Sequence, residues 1–132
     1  MRKSPLFYFL PRYFMLRIYG IKQCSTMQKA FEWLKARDIA YDFHDYKKAG
    51  IDAATLEQWC QTIPWQSLVN TRGTTWRKLS EADRENLDQA KAIRLMGANP
   101  SLIKRPLILG AAEPVLGFDE SHYARIFGNT DQ

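Results

Sequence analysis

The sequence predicts an α/β fold in the order β-α-β, a helical block, then β-β-α. Three observations carry this. A short alternating run ending at Gly20 is followed by helical spacing and then by a second extended run. From Asp52 to Gly97 the chain reads as a series of helical pieces punctuated by Pro64 and Gly73. After Pro106, two brief apolar runs flank a turn and lead into a capped helix.

Leu16 to Tyr19 alternates apolar and polar residues and predicts the first strand. Met27, Ala30, Phe31 and Leu34 then recur at helical spacing to about Arg37, with Ser25 or Thr26 placed to cap the helix. In the run IAYDFHDY, Ile39, Tyr41, Phe43 and Asp45 fall on one side, which predicts a second strand. Strand, helix and strand at this length form a βαβ unit with parallel strands and a right-handed crossover.

Asp52 is the expected cap of a helix carrying Leu56, Trp59, Cys60 and Ile63, ended by Pro64. The stretch WQSLVNTRGTTWRKL predicts short helical pieces separated by a loop at Gly73. Ser80 and Asp83 resemble a weak capping box that opens a helix with Leu87, Ala90, Ile93 and Met96, ending at Gly97. Pro100 starts a short turn of helix with Leu102 and Ile103. Leu107 to Leu109 is a brief strand, Gly110 to Pro114 a turn, and Val115 and Leu116 its hairpin partner. Asp119 caps a last helix whose Tyr123, Ile126 and Phe127 face inward. No repeat or linker divides the chain, so residues 15–128 are expected as one domain.

The 132 residues are 45% hydrophobic and 25% charged, an ordinary globular composition. Removing Arg2, Lys3 and Arg12 from the formal net charge of +5 leaves +2, which argues against a nucleic-acid footprint. Those three cations lie in MRKSPLFYFLPRYF, a poor signal peptide interrupted by Pro11. Residues 1–14 therefore read as a flexible extension or an artefact of start-site choice. No run is long enough to span a bilayer. With no signal peptide and only Cys24 and Cys60, the expectation is a cytoplasmic protein with free thiols.

Two readings of Cys24 stand side by side. At a helix start, unpaired N–H groups and the helix dipole favour a thiolate, hence a nucleophile. A small residue closing the turn satisfies the same position. Arg105, ahead of Pro106, is either a guanidinium for a thiolate or oxyanion, or a solvated surface charge. Arg72, beside Gly73 and Thr74, is a weaker candidate for an anion-binding turn. Cys60, next to Trp59 on an apolar helix face, is expected in the core. His44 has Asp42 and Asp45 nearby but no second histidine or cysteine to complete a ligand set, so no metal site is expected. No dinucleotide or P-loop motif occurs.

The segments YGIKQCSTMQKAFEWL, DFHDYKKAG, NTRGTTWRKL and LIKRPLILG resemble the arsenate-reductase-like (ArsC) family, in its Spx/YffB branch. The likeness runs from Met15 to about Phe127. It implies a thioredoxin-like fold with a mixed sheet, in which a helical insertion separates the βαβ and ββα halves. The family cysteine matches Cys24, the arginine before the family's cis-proline matches Arg105, and that proline matches Pro106. The arginine of the RGTTW segment matches Arg72.

The departures are informative. The arsenate reductases of this type carry a C-G-T-S-R-like loop, whereas here the loop is Cys24-Ser25-Thr26-Met27-Gln28 without an arginine. Their third arginine matches Phe118. The regulator branch often has a C-x-x-C switch, and Met27 stands where its second cysteine would be.

The resemblance implies a thiol-dependent reductase with one nucleophilic cysteine. Cys24 and Arg105 are its catalytic pair, and Arg72, Arg105, Pro106, Ser25 and Thr26 hold glutathione or substrate. Glutathione is then the co-substrate, glutaredoxin a partner, and the substrate a small anion or a disulfide. The alternative is a non-enzymatic, Spx-like regulator that binds RNA polymerase.

Overall fold

Leu16 and Ile18 are buried while Arg17 is exposed, the alternation of a strand covered on one face. This strand, β1 (Leu16–Gly20), opens the computed structural model, which describes residues 15–127. The extension expected over residues 1–14 lies outside the described residues. Helix α1 (Ser25–Ala36) and strand β2 (Tyr41–Asp45) follow as the pattern predicts. Met27, Ala30, Trp33 and Leu34 form the buried stripe of α1.

The middle of the chain is a set of short helices: α2 (Tyr46–Ala49), α3 (Ala53–Trp59), α4 (Trp65–Leu68), α5 (Thr74–Lys78), α6 (Glu81–Arg84) and α7 (Gln89–Ala98). A 3-10 turn, Pro100–Leu102, closes this block. Strands β3 (Leu107–Leu109) and β4 (Val115–Leu116) and helix α8 (Glu120–Ile126) complete the described chain.

The strands form one mixed sheet in the order β2-β1-β3-β4. β1 and β3 run antiparallel with Ile18 opposite Ile108, and β3 and β4 antiparallel with Leu107 opposite Leu116. This is the expected thioredoxin-like arrangement.

Two compact units divide the chain, one holding residues up to His44 and from Arg105 onward, the other Asp45–Lys104. In the first, Leu16, Ile18, Met27, Ala30, Trp33, Leu34, Ile108, Val115, Tyr123 and Phe127 form one apolar core. Arg17 bridges the exposed Asp42 on neighbouring β2 at 2.9 Å, an ion pair worth little in water. In the second unit, α3 and α4 pack on α7, and α7 packs on the 3-10 turn. A single bridge pairs Val69 with Ile103.

Three local expectations need correction. The helix opened by Ser80 is two helices, not one. Ser80 does cap the first turn, through Asp83 N–H, but Asn86 takes a positive φ of 53° and interrupts it. Asp88 then caps α7 afresh, accepting from Lys91 N–H at 2.9 Å. Leu87 consequently lies outside the helix and Ala90 is exposed, while Ala92, Ile93, Leu95 and Met96 are buried. Secondly, α3 stops at Trp59, one turn before Pro64, and Cys60 sits half-buried at its C-cap rather than in the core. Thirdly, neither Ser25 nor Thr26 caps α1. Cys24 itself holds the cap position, with extended φ −155° and ψ 128°, and its carbonyl accepts the first helical bond from Gln28 N–H.

Candidate functional site

Gly20 ends β1 where the chain must pass close to α1. A Cβ on Gly20 would stand 2.6 Å from the Met27 Cε, so the buried thioether fills the space a side chain would take. The loop that follows is fastened at the Lys22 carbonyl. It accepts from Cys24 N–H at 3.2 Å and from the Gln28 side-chain amide at 2.9 Å. Gln28 lies one turn into α1, so the helix holds the approach to its own first residue. Nothing in the sequence pattern marks Gln28 for this role, because its partner is a backbone atom six residues upstream.

Cys24 is half-buried and free. Burial by itself pushes its thiol pKa up, but the opposing influences win and the net shift is downward. The Met27 N–H at the helix start, the Arg105 side chain by hydrogen bond, the Thr26 N–H and the Arg105 charge all favour the thiolate. The Cys24 side chain makes no capping hydrogen bond to the helix. The helix start and the neighbouring guanidinium both favour the charged form of this thiol. Arg105 is half-buried, and its side chain acts on the Cys24 thiol.

Arg105 enters this position through the loop before β3. The Arg105–Pro106 peptide is cis, Pro106 is buried, and its carbonyl accepts from Gly117 N–H at 2.8 Å. Cys24, Ser25, Thr26, Arg105 and Pro106 thus belong to one unit. Ser25 is exposed and Thr26 half-buried at the mouth of α1.

Arg72 belongs to the second unit. Its backbone N–H donates to Asn70 Oδ1 at 3.0 Å, and its carbonyl accepts from the Arg77 guanidinium at 3.0 Å. Its side chain is exposed and lines a hollow of about 440 Å³ with Gln66, Val69, Asn70, Thr71 and Lys104. Lys104, one residue before Arg105, is a second cation there.

The remaining candidates lie elsewhere. Phe118, where the arsenate reductases carry an arginine, packs edge-on against Tyr123 at 4.8 Å and extends the apolar core. His44 is half-buried against the Tyr19 ring, with centroids 5.0 Å apart. Burial raises the thiol pKa of Cys60. Among the described residues no cluster of metal-ligating side chains occurs, and no helix is long and apolar enough to cross a membrane.

The sequence profile of the ArsC family matches residues 19–126. An uncharacterized protein of Haemophilus influenzae is 42% identical over 113 residues, which cover 86% of this chain and 99% of that protein. A global transcriptional regulator Spx of Streptococcus agalactiae is 26% identical over 108 residues, covering 80% and 78%. Among solved structures, a YffB protein superposes with a TM-score of 0.79 at 50% identity, covering 83% of this chain and 96% of that one. An arsenate reductase (ArsC) related protein from Brucella melitensis gives 0.69 at 48% identity, covering 84% and 92%. With the site on the segments that carry the resemblance, the chain belongs to the ArsC family, on its Spx/YffB-like branch.

Proposed function

We propose that this protein is a glutathione-dependent thiol reductase with Cys24 as its single nucleophile, working in the reducing cytoplasm. The observation that carries the reading is the place of Cys24 at a helix start, where the Arg105 side chain favours the thiolate and the pKa is lowered despite burial. A thiolate of this kind attacks a disulfide sulfur, forming a Cys24 mixed disulfide and expelling the other sulfur as a thiolate. Glutathione thiolate then attacks the adduct. Cys24 thiolate leaves, and the substrate half departs as its glutathione disulfide, which glutathione or glutaredoxin reduces further.

Arg105 holds the attacking thiolate, while Ser25, Thr26 and Pro106 offer polar and backbone groups beside the sulfur. Arg72 supplies a cation for a carboxylate of glutathione or for an anionic substrate. Arsenate is a weaker candidate than a disulfide. The Cys24 loop has no arginine, and Phe118 turns into the apolar core.

Turnover of a small mixed disulfide by reduced glutathione, coupled to glutathione reductase, tests the reading. Activity is expected for the wild type, with loss in Cys24→Ser and a severalfold drop in Arg105→Ala. Equal rates in wild type and Cys24→Ser would overturn it.

A second reading has its own support, the likeness to Spx regulators over 80% of the chain. It makes the protein a regulator that docks on RNA polymerase. Retention of polymerase by Cys24→Ser in a pull-down with purified enzyme, together with no disulfide turnover by the wild type, would favour it.

A further inference from the structure

Arg105 acts on Cys24 from a loop, and a loop needs fastening if its guanidinium is to stay at the sulfur. The fastening runs through hydrogen bonds to a residue in α8. The Pro106 carbonyl, one peptide beyond Arg105, accepts from Gly117 N–H at 2.8 Å. The Gly117 carbonyl accepts from the Tyr123 hydroxyl at 2.7 Å. Gly117 has φ 78°, a left-handed conformation, and a Cβ built there meets nothing within 4 Å. Gly117 has no side chain to pack, so it is tied at its own backbone N–H and carbonyl. β4 contributes only Leu116 and Val115 to the ladder with β3, so the Gly117–Pro106 bond is the rung nearest Arg105.

Tyr123 is built as an anchor. Its side chain is fully buried, and its ring lies edge-on to Trp33 at 5.5 Å, Phe118 at 4.8 Å and Phe127 at 5.4 Å. Such ring pairs fix position better than an aliphatic side chain of equal area. Burial raises the phenol pKa further, so the hydroxyl stays a donor throughout the working range.

We infer that Tyr123 is a positioning residue for the thiol site. Its hydroxyl holds Gly117, Gly117 holds Pro106, and the segment so fixed keeps the Arg105 guanidinium at Cys24. The inference rests on the reading of Cys24 as a thiolate paired with Arg105, and it assigns to α8 a part in setting that thiolate's reactivity.

The test is the pH dependence of iodoacetamide alkylation of Cys24 in wild type, Arg105→Ala, Tyr123→Phe and the double variant, well below the unfolding temperature of each. Tyr123→Phe keeps the ring and removes the donor. Its alkylation curve is expected to move to higher pH, with about threefold less thiolate at pH 6, the effect of half a pKa unit. In the Arg105→Ala background the tyrosine substitution should add nothing, because both act on one interaction. Replacement of Tyr123 by 4-fluorophenylalanine fills the hydroxyl's space without donating, and should shift the curve like Tyr123→Phe even if the latter folds poorly.

A lower melting temperature with a wild-type alkylation curve in both Tyr123 variants would make the hydroxyl purely structural and overturn the inference, leaving the thiolate reading intact. A wild-type curve centred near the free-thiol value of about 8.5 would remove the thiolate reading itself, and the inference with it.

Discussion

The thioether of Met27 occupies the space in which any side chain on Gly20 would stand. A strand end and a helix meet there without a gap, four residues before Cys24. Gly20→Ala is therefore expected to destabilise the protein by about 1–3 kcal/mol, the usual cost of overpacking. Urea unfolding measures it. Met27→Ala vacates the same space and leaves a cavity, at a cost of ~2–5 kcal/mol. The double variant should cost less than the sum of the two, since each relieves the other.

Arg105→Ala should raise the Cys24 pKa and slow alkylation below neutrality, because the thiolate fraction there falls about tenfold for every unit by which the pKa rises. Arg105→Lys is expected to recover only part of the effect. An ammonium restores the charge but not the planar fork of donors. Alkylation rates measured between about pH 5 and 9, either side of the ordinary thiol range, give all three curves.

The lowered thiol pKa also makes stability depend on pH. Between the folded-state pKa and the ordinary value of about 8.5, the unfolded chain binds a proton that the folded chain has released. Stability should therefore rise with pH through that window relative to Cys24→Ser, reach its full gain above the unfolded value, and vanish below the folded one. Denaturant midpoints of the two proteins at several pH values give the difference.

The two cysteines should separate under limiting alkylation. Both are half-buried, but Arg105 and the helix start act on Cys24, whereas only burial acts on Cys60 and in the opposite direction. At pH 7 the reagent is expected to label Cys24 faster than Cys60, because the two thiol pKa values are shifted in opposite directions. Peptide mapping by mass spectrometry reads the ratio.

Asp88→Ala should cost about 1 kcal/mol, the value of a helix N-cap. Asn86→Gly should raise stability by up to about 1 kcal/mol, because glycine adopts a positive φ without penalty. Thermal unfolding of the two variants checks both signs.

The alternation in β1 and the stripe of α1 were plain in the sequence because one face of each meets a core and the other does not. The hairpin of Leu107–Leu109 with Val115 and Leu116 was equally legible, since Gly110 to Pro114 can only turn. The junction at Asn86 was not. Asp88 and Ser80 are both good caps, and apolar spacing alone does not say whether one helix or two lies between them. Cys24 could be placed at a helix start from pattern, whereas pattern left Arg105 open between a thiolate's guanidinium and a surface charge, because nothing in the spacing says that two segments eighty residues apart come together. The ties of Gln28 to Lys22 and of Tyr123 to Gly117 were hidden altogether. Each joins a side chain to a carbonyl six residues upstream, and no periodicity encodes such a bond.

Met27 reaches beyond packing. With a buried thioether three residues after Cys24, the loop offers no second thiol to resolve the mixed disulfide of the proposed reaction. Release then becomes a second-order event whose rate rises with the amount of small thiol in the surroundings. Under the proposed reductase reading, turnover would gauge the thiol reserve of the surroundings, cycling freely when that reserve is full and stalling as a covalent adduct when it is spent.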